Sequence, residues 1–457
     1  MREVLLLKNY YGVNIHGDAH GDFGIFEYSV NCFADLIFLT AATIADECKD
    51  INLHVVDGNA ERILPDEMVK KLHTSYDYII VKSAAPIVSL DLKFMEELRE
   101  IYPSAKLLFA GHVAKVLKNW IEGNATYIDM VIEKPLDTFM YEFAGMEGEP
   151  ILENFPSPNY ELLGYKNFMG YDGKLRLSLQ MSRGCSMKCG YCPYNAFYES
   201  KMEFRNVDKV IEDIKKVLKY NPSVIQFRDQ YFTANKKMVK ELCQKIKDNH
   251  LDFKWTCETR IDDVDEELVD IMSASGLQMM CFGVESAEED ILDEFGRKIV
   301  SSDSLKKKIE YINNKGVDTL GFYIVGFPND TWESTKKTLE QAIELDTTYT
   351  KFSVYEKCVL ESNELEKLTP EVFERYQNLV NIEDGSILAR EEKVYLANIY
   401  SILYCISSDS LEASYKVVYN NITNYQNLLS KLLPLGTDLD AICEAVRTYR
   451  KNGENEL

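Results

Sequence analysis

The chain has 457 residues, of which 46% are hydrophobic, and its formal net charge is −23. Length and composition are sufficient for two or three domains with their own hydrophobic cores. The acidic balance argues against nucleic-acid binding, which depends on basic patches that replace phosphate counterions, and no stretch approaches the roughly 20 apolar residues of a membrane span.

The cysteine content and the first residues bear on the cellular compartment. Eleven cysteines, an odd number and mostly scattered along the chain, do not resemble a disulfide framework. The apolar segment Val4–Leu7 is too short for the hydrophobic core of a signal peptide. We therefore expect a cytoplasmic protein.

Apolar β-like runs alternate with amphipathic helical segments over residues 1–145. The runs are nearly continuous in Val, Ile and Leu, which favours parallel strands covered on both faces. The predicted strands are Glu3–Leu7, Leu53–Val56, Tyr78–Lys82, Lys106–Ala110 and Tyr127–Ile132. The predicted helices include Pro65–His73 and Leu90–Ile101, the latter with Leu90, Phe94, Leu98 and Ile101 on one face. This pattern predicts a doubly wound, Rossmann-like domain that binds ligands at the carboxyl ends of its strands.

A second series of strand and helix patterns covers residues 175–358, after a poorly periodic connector at residues 146–174. The predicted strands are Leu175–Met181, Val224–Phe227, Phe253–Cys257, Met279–Val284, Leu320–Val325 and Lys351–Val354. The predicted helices are Val207–Lys219, Lys237–Asp248, Asp265–Ala274, Asp303–Lys315 and Trp332–Leu345. Six β/α units predict a partial, TIM-like (β/α)6 barrel with its site at the strand carboxyl ends. Residues 359–457 are predicted to form a charged, helical C-terminal region.

Three cysteines follow the first predicted barrel strand. Cys185, Cys189 and Cys192 have the spacing C-x3-C-x2-C, and Tyr191 precedes the third. Three thiolates on one short loop can hold three irons of a [4Fe–4S] cluster and leave the fourth iron open. The alternatives are a zinc site, although no fourth Cys or His lies nearby in sequence, and three buried thiols that pack as small hydrophobes.

The segment MSRGCSMKCGYC at residues 181–192 resembles the cluster-binding loop of radical S-adenosylmethionine (SAM) enzymes. The resemblance implies a [4Fe–4S] cluster, SAM and an external electron donor of the flavodoxin or ferredoxin type. It also implies SAM contacts near the strand ends, each of which is equally compatible with an ordinary loop. These are Tyr191 on the adenine, Asp229 on the amine, Arg260 on the carboxylate, Glu285 on the ribose, and Ile324 and Gly326 on the adenine through their backbone.

One further cysteine is a candidate for the catalytic chemistry. Cys281 shares its strand parity with Glu285, so its thiol is a candidate hydrogen-atom donor to a substrate radical. Filling of the core is the simpler interpretation of such a cysteine.

A Rossmann-like domain before such a barrel resembles the cobalamin-binding arrangement of class B radical SAM enzymes. The resemblance covers roughly residues 1–358 and implies that cobalamin contacts Asp57, Ser83, Gly111 and Glu133. The chain departs from the family pattern because Ala110-Gly111 replaces Gly-Gly, Glu133-Lys134 replaces Gly-Glu, and Tyr355–Cys358 replaces Pro-Gly-Thr. A domain that keeps the fold without the cofactor is therefore an alternative.

The lower ligand of the cobalt is not assigned by the sequence. The cobalamin-ligating pattern D-x-H-x-x-G is missed by one residue in Asp18–Gly24. His20 and His16 are therefore candidates, and an exposed polar loop is the default. No G-x-G-x-x-G follows the first strand, so a dinucleotide site is not expected.

The resemblance implies a cobalamin-dependent radical SAM enzyme, with methyl transfer to an unactivated carbon as the leading hypothesis. The alternatives are a radical SAM rearrangement, ring contraction, cyclisation or epimerisation with a degenerate cobalamin domain, and a non-catalytic SAM or corrinoid sensor. The substrate is expected to be a small molecule or a peptide, and its identity is not readable from the sequence.

Overall fold

The structure is a computed structural model that describes residues 1–12, 14–17, 25–27, 32–170, 173–355 and 369–370. These residues fall into two compact units. The first unit contains Met1–Cys257 and residues 369–370, and the second contains residues 258–355. Apart from residues 369–370, the predicted helical region at residues 359–457 lies outside the described residues.

A parallel sheet forms the core of the first 145 residues. The described strands of this region are β1 (Arg2–Lys8), β2 (Asn14–His16), β3 (Ile25–Glu27), β4 (Ile51–Asp57), β5 (Tyr78–Lys82), β6 (Lys106–Ala110) and β7 (Met130–Val131). Five of the described strands pair in the order β4–β1–β5–β6–β7, and β2 and β3 form an antiparallel pair. This order is that of a doubly wound sheet, which confirms the predicted Rossmann-like fold.

The sheet is covered by helices that follow its strands. These are α1 (Leu36–Glu47), α2 (Gly58–Glu61), α3 (Pro65–Val69), α4 (Val88–Ile101), α5 (His112–Asn124) and α6 (Leu136–Phe143). The predicted face of α4 is wrong in part, because Leu90 and Ile101 are each 46% exposed. The helix begins at Val88, and the side chains that it buries include Leu92, Met95 and Leu98.

The rest of the first unit carries the start of the second series of strands. Its elements are β8 (Arg176–Leu179), β9 (Ser182–Gly184), α7 (Tyr194–Tyr198), β10 (Met202–Phe204), α8 (Val207–Leu218), β11 (Val224–Phe227), α9 (Lys236–Asp248) and β12 (Trp255–Thr259). Strand β11 pairs in parallel with β8 and with β12. Strands β9 and β10, which the sequence analysis missed, form an antiparallel pair around the cysteine loop.

The second unit continues the alternation of helices and strands. Its elements are α10 (Glu266–Ser273), β13 (Leu277–Glu285), α11 (Glu289–Glu294), α12 (Ser302–Asn314), β14 (Asp318–Val325), α13 (Trp332–Leu345) and β15 (Tyr349–Val354). Strand β14 pairs in parallel with β13 and β15. Every strand predicted for residues 175–358 is present, and the parallel α/β class is confirmed. No helix among the described residues is long and apolar enough to cross a membrane.

Four buried charges lie at the carboxyl ends of β1, β4 and β5. Lys82 Nζ lies 2.6 Å from Asp35 Oδ2 and also donates to the carbonyl of Gly17. Lys8 Nζ lies 3.2 Å from Asp57 and 3.8 Å from Asp35. All four residues are at most 4% exposed. Because Asp35 also caps α1 by accepting from the Phe38 amide, this cluster ties the start of α1 to three strand ends.

Removal of one cation from this cluster should destabilise the fold. We expect Lys82→Met to lower the free energy of unfolding by about 3–5 kcal/mol, because Asp35 keeps its buried charge without its nearest partner. The double variant Lys82→Met/Asp35→Asn should lose less than Lys82→Met alone, because Asn still caps the helix. Urea titrations of the full chain followed by circular dichroism measure both, and a double variant at least as unstable as the single one would contradict this account.

Candidate functional site

The cysteine loop joins β9 to α7 and carries all three thiols. Cys189 is buried, whereas Cys185 and Cys192 are half-buried. The Cys192 amide donates to the Cys189 carbonyl at 3.0 Å, which closes a tight turn between the second and third cysteines. The donor set is therefore three thiols on one loop, two of them on this turn.

The chemistry of this donor set fits an iron–sulfur cluster better than zinc. A structural zinc site normally has four Cys or His ligands, whereas this loop carries three thiols. Three thiols in eight residues match the ligands of a cluster that keeps one open iron, and the loop would close around that cluster as it binds.

Gly184 sets the direction in which the chain enters the loop. Its φ is +86°, and a Cβ placed on it would lie 2.0 Å from the carbonyl oxygen of Lys201. Only glycine accommodates both the positive φ and this close approach of the β10 side of the hairpin. Its amide donates to Gln230 Oε1 at 2.8 Å.

Asp229 lies directly beneath the start of the loop. Its carboxylate is fully buried and accepts from the Met181 amide at 3.1 Å, from the Ser182 amide, and from Ser182 Oγ at 2.7 Å. Burial raises the pKa of Asp229 to about 7, while these donors act in the opposite direction. Because both oxygens are used within the chain, the expected contact with the SAM amine stays a prediction.

Arg260 in the second unit keeps one donor available. Its guanidinium binds Asp262 through Nε at 3.1 Å and Nη2 at 3.0 Å, and Lys298 Nζ also lies 3.2 Å from Asp262. Burial would raise the pKa of Asp262, but the hydrogen bond and charge of Arg260, with Lys298, lower it. Among the described residues, Arg260 Nη1 is a buried donor with no hydrogen-bond partner. A carboxylate ligand would satisfy this donor.

The other expected SAM contacts lie at the ends of β13 and β14. Glu285 is buried with a φ of +76°, and its Oε1 lies 3.9 Å from Arg297 Nη1. The Gly326 amide donates to Asp330 at 2.7 Å, so Asp330, which the sequence analysis missed, fixes the turn after β14. Ile324 is half-buried on β14.

Tyr191 and Cys281 differ in their exposure. Tyr191 is half-buried within the cysteine loop itself. Cys281 is buried on β13, and a register shift between Gly283 and Glu285 breaks the strand parity from which its orientation was inferred. Its role as a hydrogen-atom donor stays a prediction.

The residues expected to contact cobalamin share the carboxyl edge of the N-terminal sheet. The Ser83 amide donates to the Ala110 carbonyl, and a Cβ on Gly111, whose φ is +104°, would lie 2.5 Å from the Ser83 carbonyl oxygen. Asp57 is occupied by Lys8 and by the amides at the start of α2. Glu133 is half-exposed and pairs with Lys118. Small residues therefore line the centre of this edge.

The two histidines considered as lower ligands differ in what the structure describes. His16 is buried in β2, and its ring lies 4.8 Å from that of Phe33. His20 lies outside the described residues.

Two contacts hold the cysteine loop against this same edge. Before the loop, Arg183 Nη2 lies 2.7 Å from Asp137 Oδ2 in the first turn of α6, and both side chains are buried. After the loop, the ring of Phe197 lies 4.4 Å from that of His112, which follows Gly111. None of these four residues was predicted, because a contact between separate segments leaves no local pattern in the sequence.

Part of the chain matches a known protein-family model. Residues 179–342 match the model described as the radical SAM superfamily. The chain is 30% identical over 210 residues, 45% of each chain, to an uncharacterized methyltransferase of Pyrococcus horikoshii. It is 23% identical over 338 residues, 66% of this chain and 55% of the relative, to the anaerobic magnesium-protoporphyrin IX monomethyl ester cyclase of Cereibacter sphaeroides. The chain spans about half the length of these curated relatives.

Two solved structures share the fold over most of the chain. The radical SAM methyltransferase TsrM from Kitasatospora setae, solved with cobalamin and a [4Fe–4S] cluster, matches with a TM-score of 0.61 and 15% identity over 90% of each chain. The cobalamin-dependent radical SAM enzyme OxsB, solved with aqua-cobalamin, matches with a TM-score of 0.61 and 12% identity over 99% of this chain and 75% of OxsB.

Substitution of Gly184 should impair formation of the metal site. We expect Gly184→Ala to lower the iron bound after anaerobic reconstitution severalfold, because the added Cβ would displace either the loop or Lys201. Gly145→Ala is the matched control, since Gly145 also has a positive φ, +70°, but has no atom within 4 Å of its Cβ position. Equal iron contents in the two variants would show that the close approach at Gly184 does not matter.

Proposed function

We propose that this chain, which contains a radical SAM domain and has the fold of cobalamin-dependent radical SAM enzymes, is a methyltransferase that acts at an unactivated carbon. The proposal covers the reaction class, and the substrate is proposed only as a small molecule or a peptide. An external electron donor of the flavodoxin or ferredoxin type would deliver the electron, and a reducing, cytoplasmic setting would suit such chemistry.

The observation that carries this proposal is the packing of the cysteine loop on the carboxyl edge of the N-terminal sheet. Doubly wound sheets bind their ligands at this edge. The ion pair between Arg183 and Asp137 and the ring contact between Phe197 and His112 bring the loop to that edge from both sides. Groups bound by the loop and by the edge would therefore be neighbours, which transfer between two cofactors requires.

Different residues would bind each cofactor. Cys185, Cys189 and Cys192 would hold the [4Fe–4S] cluster, and Arg260 Nη1 would donate to the SAM carboxylate. Ser83 and Gly111 would permit close approach of cobalamin to the sheet edge. When bound, the cluster with SAM supplies the radical, and cobalamin supplies the methyl group.

Several side chains would position the cofactor ligands. Asp262 would hold the Arg260 guanidinium in its plane through two hydrogen bonds. Glu285 would accept from the ribose hydroxyls, Tyr191 would pack on the adenine, and the backbone at Ile324 and Gly326 would contact the adenine edge. Glu133 would lie at the rim of the cobalamin site, and Asp57 would support that site through Lys8 and α2.

The second candidate is a radical SAM cyclisation or rearrangement. The likeness to an anaerobic ester cyclase over 338 residues favours it. In that case the N-terminal domain would bind cobalamin without methyl transfer, or would not bind it at all.

The products formed from SAM distinguish the two candidates. We expect protein purified anaerobically with hydroxocobalamin to contain cobalamin and about four irons per chain. With SAM and dithionite it should form both S-adenosylhomocysteine and 5′-deoxyadenosine. Products are measured by mass spectrometry, and the triple variant with alanine at Cys185, Cys189 and Cys192 is the control that should form no 5′-deoxyadenosine. Formation of 5′-deoxyadenosine alone by a cobalamin-loaded protein would favour the second candidate.

A further inference from the structure

Two neighbouring side chains after β11 hold the strand that leads into the cysteine loop. Asp229 accepts from the amides of Met181 and Ser182 and from Ser182 Oγ. Gln230 Oε1 accepts from the amide of Gly184 at 2.8 Å. These bonds span residues 181–184, which immediately precede Cys185.

The bonds lie where the chain leaves the parallel sheet. Strand β8 pairs with β11 up to Leu179, and the Arg228 amide still donates to the Leu179 carbonyl at 2.8 Å. From Ser182 onward the chain pairs with β10 instead. The chain thus changes its pairing partner from β11 to β10 between Leu179 and Ser182. At this point the side chains of Asp229 and Gln230 accept from amides that the backbone of β11 does not bind.

A carboxylate suits this position better than an amide or an apolar group. Two N–H groups and one hydroxyl converge on Asp229, and an ionised carboxylate can accept from all three. An asparagine would direct an NH2 group at one of these donors, and an alanine would leave buried donors unsatisfied. The residue is 0% exposed, so water cannot replace the lost bonds.

We propose that Asp229 and Gln230 are positioning residues that hold residues 181–184 so that the three cysteines can close around a cluster. This inference rests on the cluster site of the proposed function. It assigns the Asp229 carboxylate to the protein backbone and not to the SAM amine.

The first test measures the loop without any metal. In the full-length, metal-free protein, we expect Asp229→Asn and Gln230→Leu to speed hydrogen exchange of amides 181–184 by about tenfold or more. Gln230→Glu keeps an acceptor for Gly184 and should restore slow exchange. The matched control is Asp91→Asn, which alters another buried carboxylate that accepts from Asn9 and Tyr11 side chains. Unchanged exchange in both Asp229→Asn and Gln230→Leu would overturn the proposal.

The second test measures the iron content and the affinity for SAM separately. After anaerobic reconstitution, Asp229→Asn and Gln230→Leu should bind severalfold less iron than the wild type, while Gln230→Glu and Asp91→Asn bind as much. The fraction of Asp229→Asn that does hold a cluster should bind SAM with the wild-type dissociation constant. Normal iron with SAM binding weakened about tenfold or more would show a SAM ligand and overturn the proposal.

The two tests separate this inference from the proposed function. A wild-type protein that assembles no iron cluster would refute the proposed function, whereas the exchange rates would still report whether Asp229 and Gln230 hold the backbone. Gln230 is half-buried, and Gln230→Leu and Gln230→Glu differ in whether an acceptor for the Gly184 amide remains. These two variants therefore test the proposal even if Asp229→Asn fails to fold.

Discussion

The buried ion pair between Arg183 and Asp137 is the constraint on which the arrangement of the site depends. Arg183 lies two residues before the first cysteine of the loop, and Asp137 lies in the first turn of the helix that follows the last strand of the N-terminal sheet. The guanidinium also donates to Gln180 Oε1 and lies 5.5 Å from the ring of Phe155. Such a pair gains little net stability because both charges lose water. Its value lies in fixing where the loop sits.

Other buried ion pairs connect parts of the first unit. The Lys82–Asp35 pair ties the start of α1 to the strand ends, and the Arg205–Asp213 pair ties the residue that follows β10 to α8. Arg205 also donates to the carbonyls of Leu152 and Phe155 in the connector. In each of these pairs a buried cation lies against a buried carboxylate, although the chain as a whole is strongly acidic.

The sequence was sufficient for elements whose pattern has clear ends. Strands β5, β6 and β11 have the predicted bounds because polar residues, glycine or proline flank their largely apolar runs, and helix α13 begins where predicted because Thr331 caps it. The face of α4 was partly wrong, because the helix begins two residues earlier than predicted and its apolar side is rotated. The orientation of Cys281 was inferred from the alternation of residues along β13. A register shift between Gly283 and Glu285 interrupts that alternation, and the sequence pattern does not reveal the shift.

The candidate site was predictable only as a set of residue types. The cysteine spacing indicated the metal site, and strand ends indicated where polar ligands would gather. Strands β9 and β10 were missed because each has only three residues, and β9 depends on Asp229 and Gln230 for its position. Tertiary contacts decide whether a polar side chain binds the backbone or keeps a group for a ligand. Asp229 accepts from backbone amides, whereas Arg260 keeps one buried donor for a ligand.

We propose that the cysteine loop and the carboxyl edge of the N-terminal sheet hold two cofactors side by side. Electron paramagnetic resonance of protein loaded with both a reduced cluster and cob(II)alamin tests this arrangement directly, because unpaired spins on neighbouring centres interact. We expect a cob(II)alamin signal that broadens and relaxes faster when the cluster is reduced. A spectrum equal to the sum of the two singly loaded proteins would contradict it.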